Sequence, residues 1–149
     1  MIHWAADAGF GKYIPLVFIK NYSPQVLKAN MKIVGATEHA LVLYRDRLPK
    51  FNNDGQMIFN WMQWTRDGKE IPKIHPTQKP IELYSWVLRR CAKEDDKILD
   101  THAGSASSLI ACHRAGYEAW GFEINEEYFR MAKARLDREK AQVSMYELI

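Results

Sequence analysis

Two carboxylates lie 23 residues apart, Asp100 and Glu123, each near the end of a short apolar run. The first opens onto Thr101-His102-Ala103-Gly104-Ser105-Ala106-Ser107-Ser108, a turn of small residues. His75-Pro76-Thr77-Gln78-Lys79-Pro80 precedes them both. A turn of small residues lets a ligand approach the backbone closely. Its N–H groups suit the charged end of that ligand. An acid about twenty residues on is placed to accept two ribose hydroxyls, as in dinucleotide folds. Phe122 and Ile124 flank Glu123 and would wall an adenine. Each part is ordinary alone: a Gly-Ser turn is usually structural, an acid at a strand end is often a helix cap, and His102 reads as well as a satisfied core histidine. Their order is what carries the signal.

Such parts must be held by alternating strands and helices, with the ligand in a crevice beyond the carboxyl ends of the strands. Pro80 opens a helix in which Ile81, Tyr84, Val87, Leu88 and Cys91 recur at helical spacing, through about Ala92. Residues 97–101 read as a strand. Ser105 or Ser107 is expected to cap a helix running to Ala115, which Gly116 ends. Residues 119–124 form a second strand, and Asn125 caps a helix over 126–140. There Glu126 and Glu127 favour the positive end of the dipole, and Arg135, Arg138 and Lys140 the negative end. Residues 143–149 read as a last short strand.

Upstream, Tyr13–Lys20 and His39–Arg45 read as an antiparallel strand pair. Residues 21–35, with Ser23-Pro24, read as a loop with one helical turn. Residues 48–73 lack a sustained period and carry turn signals at Asn52-Asn53-Asp54-Gly55 and Asp67-Gly68. Between these, Phe59-Asn60-Trp61-Met62-Gln63-Trp64 alternates like a strand. It is either an aromatic surface for a base or a partner, or a small local core.

A length of 149 residues suits one domain, and an apolar share of 47% is ordinary. No apolar run reaches the roughly 20 residues of a membrane span, and the start has no signal-peptide pattern, so a cytoplasmic protein is expected. Cys91 and Cys112 show no metal-ligand spacing and read as small buried hydrophobes in a reducing compartment. The net charge of +3 is uneven: residues 1–80 hold 11 Lys+Arg against 6 Asp+Glu, the remainder 10 against 12. A basic front half could face a polyanion or be a solvated surface.

The order of strand, acid, small turn, helix, strand and acid is the layout of an S-adenosylmethionine (SAM) pocket. The segment resembles the DNA amino-methyltransferases that modify adenine N6 or cytosine N4, in the permuted arrangement with the cofactor motifs last. His75–Pro80 is similar to the segment before that family's cofactor strand. The run from Asp100 to Ser108 resembles its Asp-Pro-Phe-x-Gly-Ser-Gly-Thr-Thr turn, in a Thr-His form like that of phage-type members. The run from Gly121 to Tyr128 resembles its Gly-x-Glu-x-Asp-x-x-Tyr strand end. Asn60–Trp64, Lys73-Ile74 and the two early strands look like these proteins too.

The resemblance implies a partial Rossmann-like α/β methyltransferase fold with an antiparallel strand pair and a small irregular insertion. It implies one domain over 1–149, cut short, with 48–73 as a target-recognition insertion and 74–149 holding the cofactor. Thr77 and Lys79 would border the methionine end of SAM. Asp100, Thr101, His102, Ala103, Gly104 and Ser105 would line its turn, Glu123 would take the ribose hydroxyls, and Ile124 would flank the adenine. Arg66, Lys69 and Lys73 would contact DNA, and no metal is implied. One departure is Ala106, where the family has its second glycine. A methyl there would either crowd the cofactor or only tilt the helix start.

The family activates an exocyclic amine with an Asp/Asn-Pro-Pro-aromatic motif on a flipped base. The six prolines follow Ile14, Ser23, Leu48, Ile71, His75 and Lys79, so that motif is absent from these 149 residues. The chain looks like such a methyltransferase without its front end, adenine N6 being preferred to cytosine N4. Little or no turnover is expected from it alone. In the family fold the strand bearing the motif and its neighbour lie mid-sheet. The chain is therefore expected to rearrange, to form a homodimer or to need a partner chain that completes the sheet. Two other readings remain: a non-catalytic SAM- or DNA-binding remnant, and a nicotinamide-dinucleotide domain. The absence of Gly-x-Gly-x-x-Gly speaks against the latter.

Overall fold

The computed structural model describes residues 2–21, 26–49, 51–68 and 71–146, with side chains as far as 142. The chain divides into two compact units, residues 1–66 and 67–149.

The first unit opens with a short helix, α1 (Ile2–Asp7). The guanidinium of Arg45 lies 4.8 Å from the centre of the Phe10 ring, just after that helix. Strand β1 (Lys12–Lys20) pairs antiparallel with β4 (Thr37–Tyr44), with Val17 opposite His39 and Phe18 opposite Glu38. Strand β5 (Trp61–Trp64) adds to the other side of β1 in parallel, giving the order β4–β1–β5. One face of this sheet is buried at Leu16, Phe18 and Trp64. Between β1 and β4 the expected loop with a helical turn is a small hairpin. It pairs β2 (Val26–Lys28) with β3 (Ile33–Val34) around a 3-10 turn at Ala29–Met31. Lys32 closes that turn at φ 54°. The Ser23-Pro24 part of that reading lies outside the described residues.

The second unit holds the site. Helix α2 (Ile81–Cys91) follows Pro80, and the N–H of Ile81 donates to Asp67 Oδ1 at 3.1 Å. Of the predicted apolar positions, Ile81 and Leu88 are buried and Tyr84 packs against them, joined by Ala92 at the C-cap. Ile81, Leu88 and Ala92 form one cluster with Ile110, Ala111 and Cys112 of α3 (Ser107–Arg114). Burying Ile110, 1% exposed, contributes about 1.5–3 kcal/mol.

Ile98 and Ala119 close this core from β6 (Ile98–Asp100) and β7 (Ala119–Gly121), which pair in parallel. Gly116, at φ 76°, follows the C-cap of α3 as expected. The last element, α4 (Glu126–Tyr146), runs six residues past its expected end. The short strand read at 143–149 is therefore helix as far as residue 146, and 147–149 lie outside the described residues. Arg135, Arg138 and Lys140 consequently sit mid-helix and not in a last turn. Among the described residues no helix is long and apolar enough to cross a membrane.

Candidate functional site

The site is built where β6 and β7 end side by side. Strand β6 stops at Asp100 because its side chain takes over the turn. Asp100 Oδ1 accepts the His102 N–H at 2.9 Å, and Oδ2 accepts a hydrogen bond from the Ser108 hydroxyl. Asp100 therefore shapes the loop, with each oxygen already holding a donor. Pairing continues past the strands: Phe122 N–H donates to Asp100 O at 2.9 Å and Ala103 N–H to Phe122 O at 2.8 Å. This brings Gly104 opposite Glu123.

The Gly104 N–H donates to Glu123 Oε2 at 3.0 Å, and the Asn125 N–H to Oε1 at 2.9 Å. These hydrogen bonds, led by that from Asn125 and assisted by the nearby His75 and His102, hold the Glu123 carboxyl below the usual carboxylate range. A carboxylate has about four acceptor positions, so two stay open. Gly104 has φ 52°, and a side-chain carbon there would find nothing closer than 3.9 Å. The turn thus sets open space at a glycine beside a fixed, ionised acceptor. Asn125 caps α4 as expected, its Oδ1 accepting the Tyr128 N–H at 3.0 Å.

Behind the turn lies a cation whose role the sequence did not reveal. Arg135 is 9% exposed. Its Nη1 donates to Ser105 O at 2.8 Å and to Ser107 Oγ at 3.0 Å. Its Nη2 lies 3.8 Å from Asp67 Oδ2, the acid whose other oxygen caps α2. Burial lowers the Arg135 pKa and Asp67 opposes that. Ser105 is held between two left-handed residues, Gly104 and Ala106. The helix cap expected from Ser105 or Ser107 does not form. Ala106 takes the cap position at φ 60°, and the two serine hydroxyls lie 3.2 Å apart. Ala106 is 1% exposed, so its methyl is packed inside and does not stand over the turn.

His75 is the second residue with no foreseen role. Its ring meets the edge of Tyr128 at 4.4 Å between centroids. The Thr77 N–H lies 3.2 Å from its Nδ1 and points at it. The ring reaches to 4.0 Å from where a side chain on Gly104 would begin. Its place two residues before Thr77 was the available signal.

Of the expected cofactor residues, Asp100, Ala103, Gly104, Ser105 and Glu123 converge on one turn. Thr77 adjoins it through His75. Thr101 and His102 are exposed beside it, with Thr101 Oγ1 2.9 Å from His102 Nδ1. Lys79 is half-buried immediately before Pro80. Phe122 and Ile124 are exposed, so the expected adenine wall is open to solvent. Arg66 and Lys73, also exposed, fall in different units, and Lys69 lies outside the described residues.

Cys91 is half-buried and Cys112 buried. Desolvation pushes both thiols up, and Asp100 adds to the rise at Cys112, as suits packing residues.

A parallel strand pair with an acid after each strand and a small-residue turn between them defines a nucleotide-binding α/β fold. The sequence model of the DNA methylase family matches residues 12–134, and the chain belongs to that family. It is 42% identical over 67 residues to the type II methyltransferase M.HpaI of Haemophilus parainfluenzae, covering 45% of this chain and 21% of that one. It is 31% identical over 103 residues to the DNA adenine methyltransferase YhdJ of Escherichia coli, covering 68% and 35%.

Among solved structures, the M1.HpyAVI–SAM complex superposes with a TM-score of 0.74 at 23% identity, over 90% of this chain and 66% of that one. The cytosine-N4-specific PvuII methyltransferase gives 0.68 at 18%, over 85% and 54%. The architecture is thus the Rossmann-like α/β methyltransferase fold, as expected. The chain spans 21% to 35% of the length of the curated relatives it matches.

Proposed function

We propose that this chain is the cofactor-binding part of a SAM-dependent DNA amino-methyltransferase. The observation that carries the reading is the Glu123 carboxylate. It is fixed by the Gly104 and Asn125 N–H groups, kept ionised, and still has two acceptor positions for ribose hydroxyls. Open space at Gly104 fits close approach of the ligand's charged end. Thr77 and Lys79 border that end, and Asp100 to Ser105 line the turn. When bound, SAM supplies an electrophilic methyl on a sulfonium.

The target is a DNA amino group, adenine N6 before cytosine N4. The support for that order is the 31% identity over 103 residues to the DNA adenine methyltransferase YhdJ. Residues 48–73 serve as the target-recognition insertion, with Arg66, Lys69 and Lys73 on DNA phosphates, and 74–149 hold SAM. The protein works in the cytoplasm. A second copy or a partner polypeptide completes the sheet; the acceptors for the amine, which an Asp/Asn-Pro-Pro-aromatic motif absent from these 149 residues would provide, come from residues outside them.

Calorimetric titration of the purified chain with SAM tests the cofactor reading. Binding is expected, with at least a tenfold loss in Glu123→Ala; equal affinity in both sinks it. Tritium transfer from SAM to DNA, with and without the candidate partner, tests the activity. A non-catalytic remnant binds SAM or DNA and transfers nothing in either case.

A further inference from the structure

The Phe59–Trp64 run has no part in the SAM pocket, yet the structure gives it a definite geometry. Strand β5 enters the sheet through Asn60. Its carbonyl accepts the Val17 N–H at 3.0 Å, and its side-chain amide donates to Pro15 O at 3.0 Å. Asn60 is thereby tied to β1 at both ends. Its neighbours Phe59 and Trp61 stack on each other, with ring centroids 5.7 Å apart and planes 26° from parallel. Neither ring is core: Phe59 is 74% exposed and Trp61 43%.

The pairing register shows which face they occupy. Trp61 lies beside Val17, and Val17 beside His39, so the three form one row across β5, β1 and β4. The next row is Gln63, Ile19 and Thr37. The opposite face holds Leu16, Phe18 and Trp64, all buried. The three-stranded sheet therefore hides one face and presents aromatic and imidazole rings on the other, where Trp61, Gln63, His39 and Thr37 are exposed.

Aromatic rings fixed on an open sheet face are a surface on which unpaired bases stack, because every base has a flat π face. Charge complementarity favours that occupant. Residues 1–66 carry 8 Lys+Arg against 4 Asp+Glu, a net +4, and the remaining 83 residues carry 13 against 14. A polyanion is drawn to the unit that bears the rings.

We infer that the Phe59–Trp61 stack and its row on the open face of the β4–β1–β5 sheet form a platform for unpaired DNA bases. This rests on the DNA part of the proposed function and adds a surface distinct from the cofactor turn. Flipping one base disturbs its neighbours, and a stacking platform would hold the opened strand.

The test is fluorescence anisotropy with the full chain, a labelled dT12 strand and a 12-base-pair duplex at low salt. Binding of the single strand is expected, with roughly a tenfold or greater loss in Phe59→Ala and in Trp61→Ala. Trp61→Phe, which keeps a ring, should retain most of the affinity. Far-UV circular dichroism and SAM titration of each variant guard against unfolding, and the highly exposed Phe59 gives the safer variant. Single-strand affinity unchanged in both alanine variants overturns the platform. So does a concentration-dependent dimer that Phe59→Ala dissolves while DNA affinity stays put, since the face then belongs to a second copy. Duplex binding without single-strand binding sinks the platform alone; no binding to either DNA sinks the DNA part of the proposed function with it.

Discussion

Replacing Arg135 with methionine keeps most of the side-chain volume and removes the cation behind the cofactor turn. The guanidinium donates two hydrogen bonds, to Ser105 O at 2.8 Å and Ser107 Oγ at 3.0 Å. Bonds from a charged donor contribute about 1.5–3 kcal/mol each, but they share one group and are not additive. The change also leaves the Asp67 carboxylate, 3.8 Å away and largely buried, without its counter-charge. Breaking a buried pair by deleting one partner typically costs about 3–5 kcal/mol. We therefore expect Arg135→Met to lose about 3–4 kcal/mol, a large share of the 5–15 kcal/mol typical of a domain.

Urea unfolding followed at 222 nm is the assay, because α2, α3 and α4 all lie in the second unit and dominate the helical signal. With a slope of about 1–3 kcal/mol per M, the midpoint should fall by roughly 1–4 M. Arg135→Lys, which keeps charge but loses the planar fork, should fall between. Asp67→Asn retains a carbonyl to accept the Ile81 N–H, and the guanidinium it deprives of a counter-charge still donates to Ser105 O and Ser107 Oγ, so its loss should be smaller than that of Arg135→Met. A midpoint for Arg135→Met within 0.2 M of the parent, at unchanged slope, would refute the claim that this cation holds the turn.

Three further outcomes follow from the same turn. At Gly121 an added side-chain carbon would lie 2.7 Å from Leu109 Cδ1 and 3.0 Å from Ala103 Cβ. The leucine end can rotate and the alanine cannot, so Gly121→Ala should cost about 1–3 kcal/mol by thermal unfolding, partly recovered by adding Leu109→Ala. Asn125→Ala removes the cap on Tyr128 N–H and should destabilise by about 1 kcal/mol in the same assay. Glu123 has a folded pKa below its unfolded one. Its contribution is therefore complete above the usual 4.5 and is lost as pH falls through the depressed value. In an acid titration Glu123→Gln should flatten the stability loss below about pH 4.5, and an unchanged profile would count against the two N–H bonds.

Much of this was legible because burial writes itself as periodicity. The face of α2 could be read from Ile81, Tyr84 and Leu88, and the β1–β4 pair from its apolar runs. Asn125 was legible as a cap because its short side chain has one strong local use. The misses have equally physical causes. The β2–β3 hairpin turns at Lys32 in a left-handed conformation, where no glycine or asparagine announces it. Helix α4 passes through residues 143–146, where the residue types had suggested a strand, since continuing an established helix costs less than starting one. Arg135 looked like any charged helix residue, because burial of a cation depends on partners 28 and 30 positions away.

Ala106 shows how these levels meet. A left-handed alanine costs roughly 1–2 kcal/mol, which is why glycine is favoured there. Here the methyl is buried, which returns about 0.8 kcal/mol, and the conformation is enforced from both sides. Upstream, the Ala106 N–H donates to Ala103 O at 2.8 Å; downstream, the Ile110 N–H donates to Ala106 O at 2.9 Å. The Arg135 bond to Ser105 O fixes the peptide just before it. A strained residue persists only where its surroundings over-determine it. That same over-determination keeps the Gly104 N–H aimed at Glu123. The departure from glycine therefore stiffens the turn from behind and leaves the space at Gly104 open.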